Sequence, residues 1–152
     1  MRFIHCADLH LDSPLRGLER YEGAPVNDMR EATRRSFANI IDLALEREVD
    51  FILIAGDVFD GDLLDFNAGL FFANQLRRLA DADIRAFIVR GNHDALSRIS
   101  KAVPLPKNVH LFKSSKPDTV VDDLLGYAIH GQSFATGVVM DDLAAQYPDA
   151  HS

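Results

Sequence analysis

Cysteine is nearly absent from this chain: Cys6 stands alone among 152 residues, so no intramolecular disulfide can hold the fold together. Basic residues are also in short supply. Sixteen Lys and Arg face 23 Asp and Glu, a net charge of −7, which argues against a non-specific nucleic-acid binder of the arginine-rich kind. An acidic balance does not exclude a nuclease. Long apolar runs are missing too, because Asp, Arg, Gly or His interrupts every hydrophobic stretch short of the roughly 18 residues that cross a bilayer. A membrane protein is therefore not expected. No charged, apolar, small-residue leader opens the chain at Met1-Arg2-Phe3-Ile4-His5, and the expected location is cytoplasmic. Internal repeats and low-complexity tracts do not occur. What is present is the composition of an ordinary globular domain, 47% hydrophobic and 26% charged. A chain of this length buries about 68–70% of the surface it exposes when unfolded.

Phe3 to Ala7 is a short apolar run that stops at Asp8, and a turn-rich stretch from Asp12-Ser13-Pro14 to Gly23-Ala24-Pro25 follows it. This reads as a buried strand and a long loop. Asp28 stands three residues before Glu31, and Phe37, Ile40, Ile41, Ala44, Leu45 and Val49 fall on one helical face, which predicts a helix over about 28–48. Asp50 to Ala55 is a continuous apolar run bounded by Gly56, the pattern of a strand covered on both faces. Leu63 to Ala80 again has helical spacing, and Ile84 to Val89 is a third apolar run. Strand, helix, strand, helix, strand predicts a parallel α/β sheet with crossover helices. Beyond Gly91, Pro104, Pro106 and Pro117 punctuate short β-prone pieces at about 108–112, 118–121 and 126–130, before a short helix from Asp141 to Gln146.

Polar residues gather after each of the three strands: Asp8-Leu9-His10, then Gly56-Asp57-Val58-Phe59-Asp60, then Gly91-Asn92-His93-Asp94. All three emerge at the carboxyl edge of the expected sheet, where ligands bind in open α/β folds. Carboxylate, imidazole and amide oxygen together suit a hard or borderline divalent metal such as Mn²⁺, Fe²⁺ or Zn²⁺. The alternate spacing of Asp8 and His10 predicts an extended segment that puts both side chains on one side. Each cluster alone is ordinary loop chemistry, but packing gives no reason for the same ligand set to recur after three successive strands. Among the neighbours, His5 reads as a core histidine and Cys6 as a small buried hydrophobe. Asp12 and Asp60 divide between orienting a ligand and capping a turn or the helix near Asp62. Arg16, Arg20, Arg30, Arg34 and Arg35 form a basic patch that suits a phosphate backbone, although Arg34 and Arg35 read first as a solvated helix face. Phe66, Phe71 and Phe72 read as core, with a partner or dimer surface as the alternative.

In their order and strand context, the three clusters resemble the Asp-x-His, Gly-Asp-x-x-Asp/Asn and Gly-Asn-His-Asp/Glu motifs of the calcineurin-like metallophosphoesterases. The opening Phe3 to Pro14, with Gly56 to Asp60, is similar to the SbcD-type DNA repair exonucleases, and within them to the YhaO-like branch. The likeness spans essentially the whole chain. It implies an α/β fold, a β-sandwich flanked by helices, of which only the N-terminal part is present. It further implies that Asp8 and His10 bind the first of two divalent metal ions, most simply Mn²⁺, that Asp57 bridges both and that Asn92 binds the second. His93 is then a catalytic histidine that protonates the leaving oxygen, and Asp94 orients it. Such a centre clamps a phosphodiester and activates water. The implied partners are DNA, an SbcC-like ATPase subunit and a second copy of the chain, paired through helices in the region of Phe66 to Phe72.

The sequence departs from that pattern in one respect. The family continues with a histidine after a later strand and a Gly-His-x-His segment, and no Gly-His-x-His occurs here. His110 lies in an expected strand, His130 at a strand-to-loop position and His151 near the end, so none is read as a ligand. The second metal keeps only Asp57 and Asn92. Residues 1–152 are accordingly expected to be the N-terminal portion of a longer metallophosphoesterase domain, binding one metal weakly and hydrolysing slowly or not at all. An open apolar face then predicts self-association, or disorder beyond about residue 135. A small-molecule phosphodiesterase of cyclic-nucleotide type and a non-catalytic interaction subunit are the alternative functions.

Overall fold

The computed structural model describes residues 1–15, 21–23, 25–61 and 65–149. Among these, strands and α-helices follow one another as β1 (Phe3–Cys6), α1 (Val26–Glu46), β2 (Phe51–Ala55), α2 (Phe66–Asp81), β3 (Arg85–Val89), α3 (Asn92–Leu96), α4 (Arg98–Ala102), β4 (Val109–Leu111), β5 (Asp118–Asp122) and β6 (Tyr127–Gly131). The first four strands form one parallel sheet in the order β1-β2-β3-β4, and β5 pairs antiparallel with β6 in a second. The expected succession of parallel strands and crossover helices is therefore present. Among the described residues, no helix is long and apolar enough to cross a membrane.

Alternation along the strands sorts side chains between two cores. On β2, Ile52 and Ile54 point into the larger one, where they meet Phe37, Ile41 and Ala44 of α1 and Phe72, Leu76 and Leu79 of α2. Phe51 and Leu53 point the other way, toward Phe87, Phe112 and Tyr127, a smaller core that seats the β5-β6 hairpin on the sheet. The two-sided apolar character of the second run has this cause: β2 is central and covered on both faces. β1 is an edge strand, and its second face is open. His5, on that face, is exposed rather than packed in a core, because the alternation that half-buries Ile4 against the main core turns His5 outward where the hairpin does not reach.

Four further elements bear on the sequence expectation. Asp65 caps α2, its carboxylate accepting from the Asn67 amide at 2.9 Å, so the described helix runs from Phe66; the expected starts near Asp62 and Leu63 lie outside the described residues. Helices α3 and α4, five residues each, are absent from the sequence expectation, since less than two turns leave no apolar periodicity to read. The helix expected from Asp141 is reduced to a 3₁₀ turn at Ala144–Gln146, with Asp142 accepting from the Ala144 and Ala145 amides. The aromatic group on α2 divides: Phe72 is core, Phe71 packs on the core's rim, and Phe66 and Leu70 are exposed.

Arg34 is half-buried and ion-paired rather than free on a solvated helix face. Its guanidinium grips buried Asp12, with Nε 2.8 Å from Oδ1 and 3.0 Å from Oδ2 and Nη2 also on Oδ2, and it lies 5.4 Å over the Phe71 ring. Asp12 thus ties the first loop to α1. Arg35, by contrast, is exposed and pairs one turn away with Glu31 at 3.3 Å. Arg34→Ala leaves the Asp12 carboxylate buried without its cation and is expected to lower unfolding stability in urea by about 2–3 kcal/mol. Arg35→Ala should change it by less than about 0.5 kcal/mol.

Candidate metal centre

The chain does not stay extended after β1. Asp8, His10 and Asp12 adopt φ of 54°, 43° and 56°, in the left-handed region that costs most residues about 1–3 kcal/mol. The expected extended Asp-x-His geometry is therefore corrected: the two side chains converge through alternating left-handed turns. A backbone ladder maintains that shape. The amides of Asp8, His10 and Leu11 donate to the carbonyls of Gly56, Asp57 and Val58 at 3.1, 3.0 and 2.9 Å, and fully buried Leu11 anchors the loop in the main core.

Two glycines bring the second and third loops together. Gly56 has φ of 84°, and a Cβ there would lie 2.8 Å from the Gly91 nitrogen; a Cβ on Gly91 would lie 2.8 Å from Asp57 Cγ. Both positions need a bare Cα. Asp57, itself at φ of 51°, consequently tucks its carboxylate against the start of α3, where Oδ1 accepts from the His93 amide at 3.0 Å.

Asp8, His10 and Asp57 each present a ligand atom, and these atoms lie within 4.8 Å of one another. One nitrogen and two carboxylate donors at that separation fit a single divalent cation of the Mn²⁺, Fe²⁺ or Zn²⁺ kind. His10 Nδ1 is engaged by Asp60 Oδ1 at 2.8 Å, which leaves Nε2 for a cation and fixes the ring, as carboxylates do for metal-binding histidines. Asn92 occupies the first position of α3, next to the His93 amide that holds Asp57.

Asp60 is the residue whose role the sequence leaves open. The same Oδ1 that holds His10 lies 3.2 Å from His93 Nδ1, and the two imidazoles meet edge to face with centroids 5.3 Å apart. Burial works to raise the Asp60 carboxyl, but hydrogen bonds from Ser13 and His10 and the charges of both histidines outweigh it and hold the group below its ordinary value. Asp60 therefore remains an anion between the two rings. Its spacing, three residues after Asp57, is the signal that points to it.

Asp94 is placed differently from its expected part beside the His93 ring. It is 1% exposed, and its carboxylate accepts from the amides of Val58 at 3.2 Å, Phe59 at 3.0 Å and Gly91 at 3.1 Å. It pins the backbone of two loops, and the carboxylate beside the His93 ring is that of Asp60. Burial pushes the Asp94 carboxyl above its ordinary value against the opposing pull of those amides, and the charge of Asp57 adds to the rise. His110 and His130 belong to the hairpin side of the sheet, bound to Asp118 at 3.0 Å and Thr119 at 2.8 Å. Cys6 gives its thiol to the Leu53 carbonyl at 3.6 Å, and burial raises it to about 11, which removes it from thiolate chemistry.

Residues 1–145 match the model of the calcineurin-like phosphoesterase family. The chain is 37% identical over 150 residues to the uncharacterized metallophosphoesterase YhaO of Bacillus subtilis, covering 97% of this chain and 37% of that protein. It is 34% identical over 115 residues to the SbcD component of the nuclease SbcCD from the same organism, covering 73% of this chain and 27% of the relative. Similarity to the DNA double-strand break repair protein Mre11 of Methanococcus maripaludis is 32% over 104 residues, or 68% of this chain and 26% of the relative. The chain thus spans well under half the length of these relatives. With the family model matching nearly end to end across the loops that bring Asp8, His10 and Asp57 together, the chain belongs to the calcineurin-like phosphoesterases.

Proposed function

We propose that the chain carries the metal-dependent phosphodiesterase chemistry of a DNA exonuclease. The observation that carries this reading is the convergence of Asp8, His10 and Asp57 within 4.8 Å, with His93 held beside them through Asp60. Asp8, His10 and Asp57 would hold the first ion, and Asp57 and Asn92 would contribute to the second. A bound divalent ion supplies Lewis acidity toward the phosphoryl oxygens and a water of lowered pKa. The other parts belong to the protein. Asp60 fixes His10 at Nδ1, so that Nε2 would be the atom offered to an ion, and holds His93 at Nδ1, leaving His93 Nε2 to carry the transferable proton. As the oxygen of an attacking water, its proton given up to solvent, bonds to phosphorus and the P–O ester bond breaks, the departing alkoxide takes the His93 proton and leaves as an alcohol. Asp94 acts at one remove, by fixing the loops that carry Asp57, Asn92 and His93.

DNA is favoured as substrate by the nature of the relatives, a nuclease component and a DNA break repair protein, and by the Leu11-Asp12-Ser13-Pro14 extension. An SbcC-like ATPase is the corresponding partner, and exposed Phe66 and Leu70 on α2 offer a surface for a second copy. The site of action is the cytoplasm. We read residues 1–152 as the N-terminal part of the catalytic domain. A net charge of −7 favours a second reading, a cyclic-nucleotide phosphodiesterase. With saturating Mn²⁺, single-stranded DNA should be degraded to nucleotides and cyclic nucleotides left intact, with chelation abolishing the activity. Cyclic nucleotide hydrolysis at about ten times the DNA rate would reverse the order of the two readings.

A further inference from the structure

The loop that carries Asp8 and His10 is held from two sides, by the backbone after β2 and by α1. Beyond His10 the chain makes a four-residue turn, His10 to Ser13, closed by the Ser13 amide donating to the His10 carbonyl at 3.1 Å. Asp12 takes the third position of that turn at φ of 56°, a left-handed value that glycine or asparagine usually supplies there. The backbone alone would favour glycine, so the aspartate is explained by its side chain. Its carboxylate, 5% exposed, lies in the fork of the Arg34 guanidinium with both oxygens engaged, and its amide donates to the Thr33 hydroxyl at 3.3 Å. One turn earlier on α1, Arg30 donates to the carbonyls of Ser13 at 3.4 Å and Pro14 at 3.2 Å. Arg30, Thr33 and Arg34 share one face of the helix. That face grips three consecutive loop residues, Asp12, Ser13 and Pro14.

The grip bears on the metal centre because His10 opens the turn that Asp12 fixes. The His10 amide is tied to the Asp57 carbonyl at 3.0 Å and its carbonyl to the Ser13 amide, so the shape of the turn sets where the imidazole stands. A turn free to leave the left-handed region would move His10 relative to Asp8 and Asp57, whose ligand atoms share one ion only while all three stay within 4.8 Å. Arg34 is itself set against α2, 5.4 Å over the Phe71 ring, which ties the turn to both helices. We infer that Asp12 and Arg34 are positioning residues for the metal centre: their ion pair fixes the turn that keeps His10 in reach of the cation, and so sets the metal affinity. The inference rests on the metal centre of the phosphodiesterase reading and adds to it the part played by α1.

The test is calorimetric titration of Mn²⁺ into the chain and three variants: Asp12→Gly, which suits the backbone of the turn and abolishes the grip, Arg34→Gln, and the two combined. Each single variant should bind Mn²⁺ about tenfold more weakly, the lower end of the range for lost support of a metal ligand. The double variant should bind no more weakly than the worse single one, because the two side chains act as a unit. Phe112→Leu, which loosens the hairpin core on the other face of the sheet, should leave the affinity unchanged and so separates lost positioning from lost stability; a loss there equal to that of Asp12→Gly overturns the inference. Affinity of Asp12→Gly within about twofold of wild type also overturns it and leaves the metal centre standing, as do losses that multiply in the double variant. Where Asp12→Gly does not fold, Asp12→Asn, which keeps one accepting oxygen without the charge, takes its place with a loss of at least about threefold expected and a smaller one overturning the inference. Uptake of no Mn²⁺ by wild type overturns the phosphodiesterase reading. Hydrogen exchange then decides the inference by itself: faster exchange at the His10 and Leu11 amides of the Asp12 variant supports it, and wild-type rates overturn it.

Discussion

His93→Gln is expected to lower Mn²⁺-dependent phosphodiester hydrolysis by about 10²–10⁴-fold at saturating metal, the range for loss of a general acid. Mn²⁺ affinity should stay within about twofold of wild type, because the contact His93 makes to Asp57 comes from its backbone amide and survives the substitution. Asp60→Asn should behave differently. Asp60 Oδ1 touches both imidazoles, so the variant should lose metal affinity by about 10–100-fold, as when a histidine ligand loses its carboxylate, and should also turn over more slowly once saturated. Measuring affinity by titration and rate at saturation separates the two effects. A fall in metal affinity for His93→Gln, or an unaltered affinity for Asp60→Asn, would contradict the roles assigned to these side chains.

Asp94→Ala carries the largest expected cost in stability. The carboxylate satisfies three backbone amides drawn from two loops, at 3.0–3.2 Å, and alanine removes the acceptor from all three, leaving those of Val58 and Phe59 buried. Each orphaned donor costs about 1–3 kcal/mol. Burial of the anion, which raises its pKa, is relieved at the same time, so the net loss is expected near 3 kcal/mol in urea unfolding. Asp94→Asn keeps one accepting oxygen and should lose about half as much. Metal affinity should fall in parallel, because the loops that Asp94 pins carry Asp57 and Asn92. An Asp94→Ala variant as stable as wild type, with normal metal affinity, would show that the loops hold their shape without it.

The parts of the fold readable from sequence are those with enough length to show a period. Phe37, Ile41 and Ala44 on α1, and Phe72, Leu76 and Leu79 on α2, repeat over several turns, and the apolar runs of β1, β2 and β3 end where polar clusters begin. Helices α3 and α4 are too short for a period to develop. His5 escapes the sequence reading because alternation separates two faces without saying which is covered; only the reach of the hairpin decides that. At the candidate centre, the residues that come together and their order are legible, and the means of convergence is not. Left-handed φ at Asp8, His10 and Asp57 leaves little trace in composition, since Asp is also common in ordinary turns. The contact between Gly56 and Gly91 joins residues 35 positions apart, and each glycine alone reads as punctuation. Asp60 is ambiguous for the same reason: an aspartate before a helix is a natural cap, and only the packing of its loop against α3 turns it toward His10 and His93.

The central claim, that Asp8, His10 and Asp57 form one principal divalent-metal site with a weaker position beside it, is tested most directly by calorimetric titration of Mn²⁺ into the wild-type chain and Asp57→Asn. Wild type should bind one ion in preference to a second. Asp57→Asn, which keeps an oxygen for the His93 amide and loses the charge, should weaken the stronger site by at least about 100-fold, more than loss of a supporting carboxylate alone. Two equally tight sites in wild type, or the same affinity in Asp57→Asn, would contradict it.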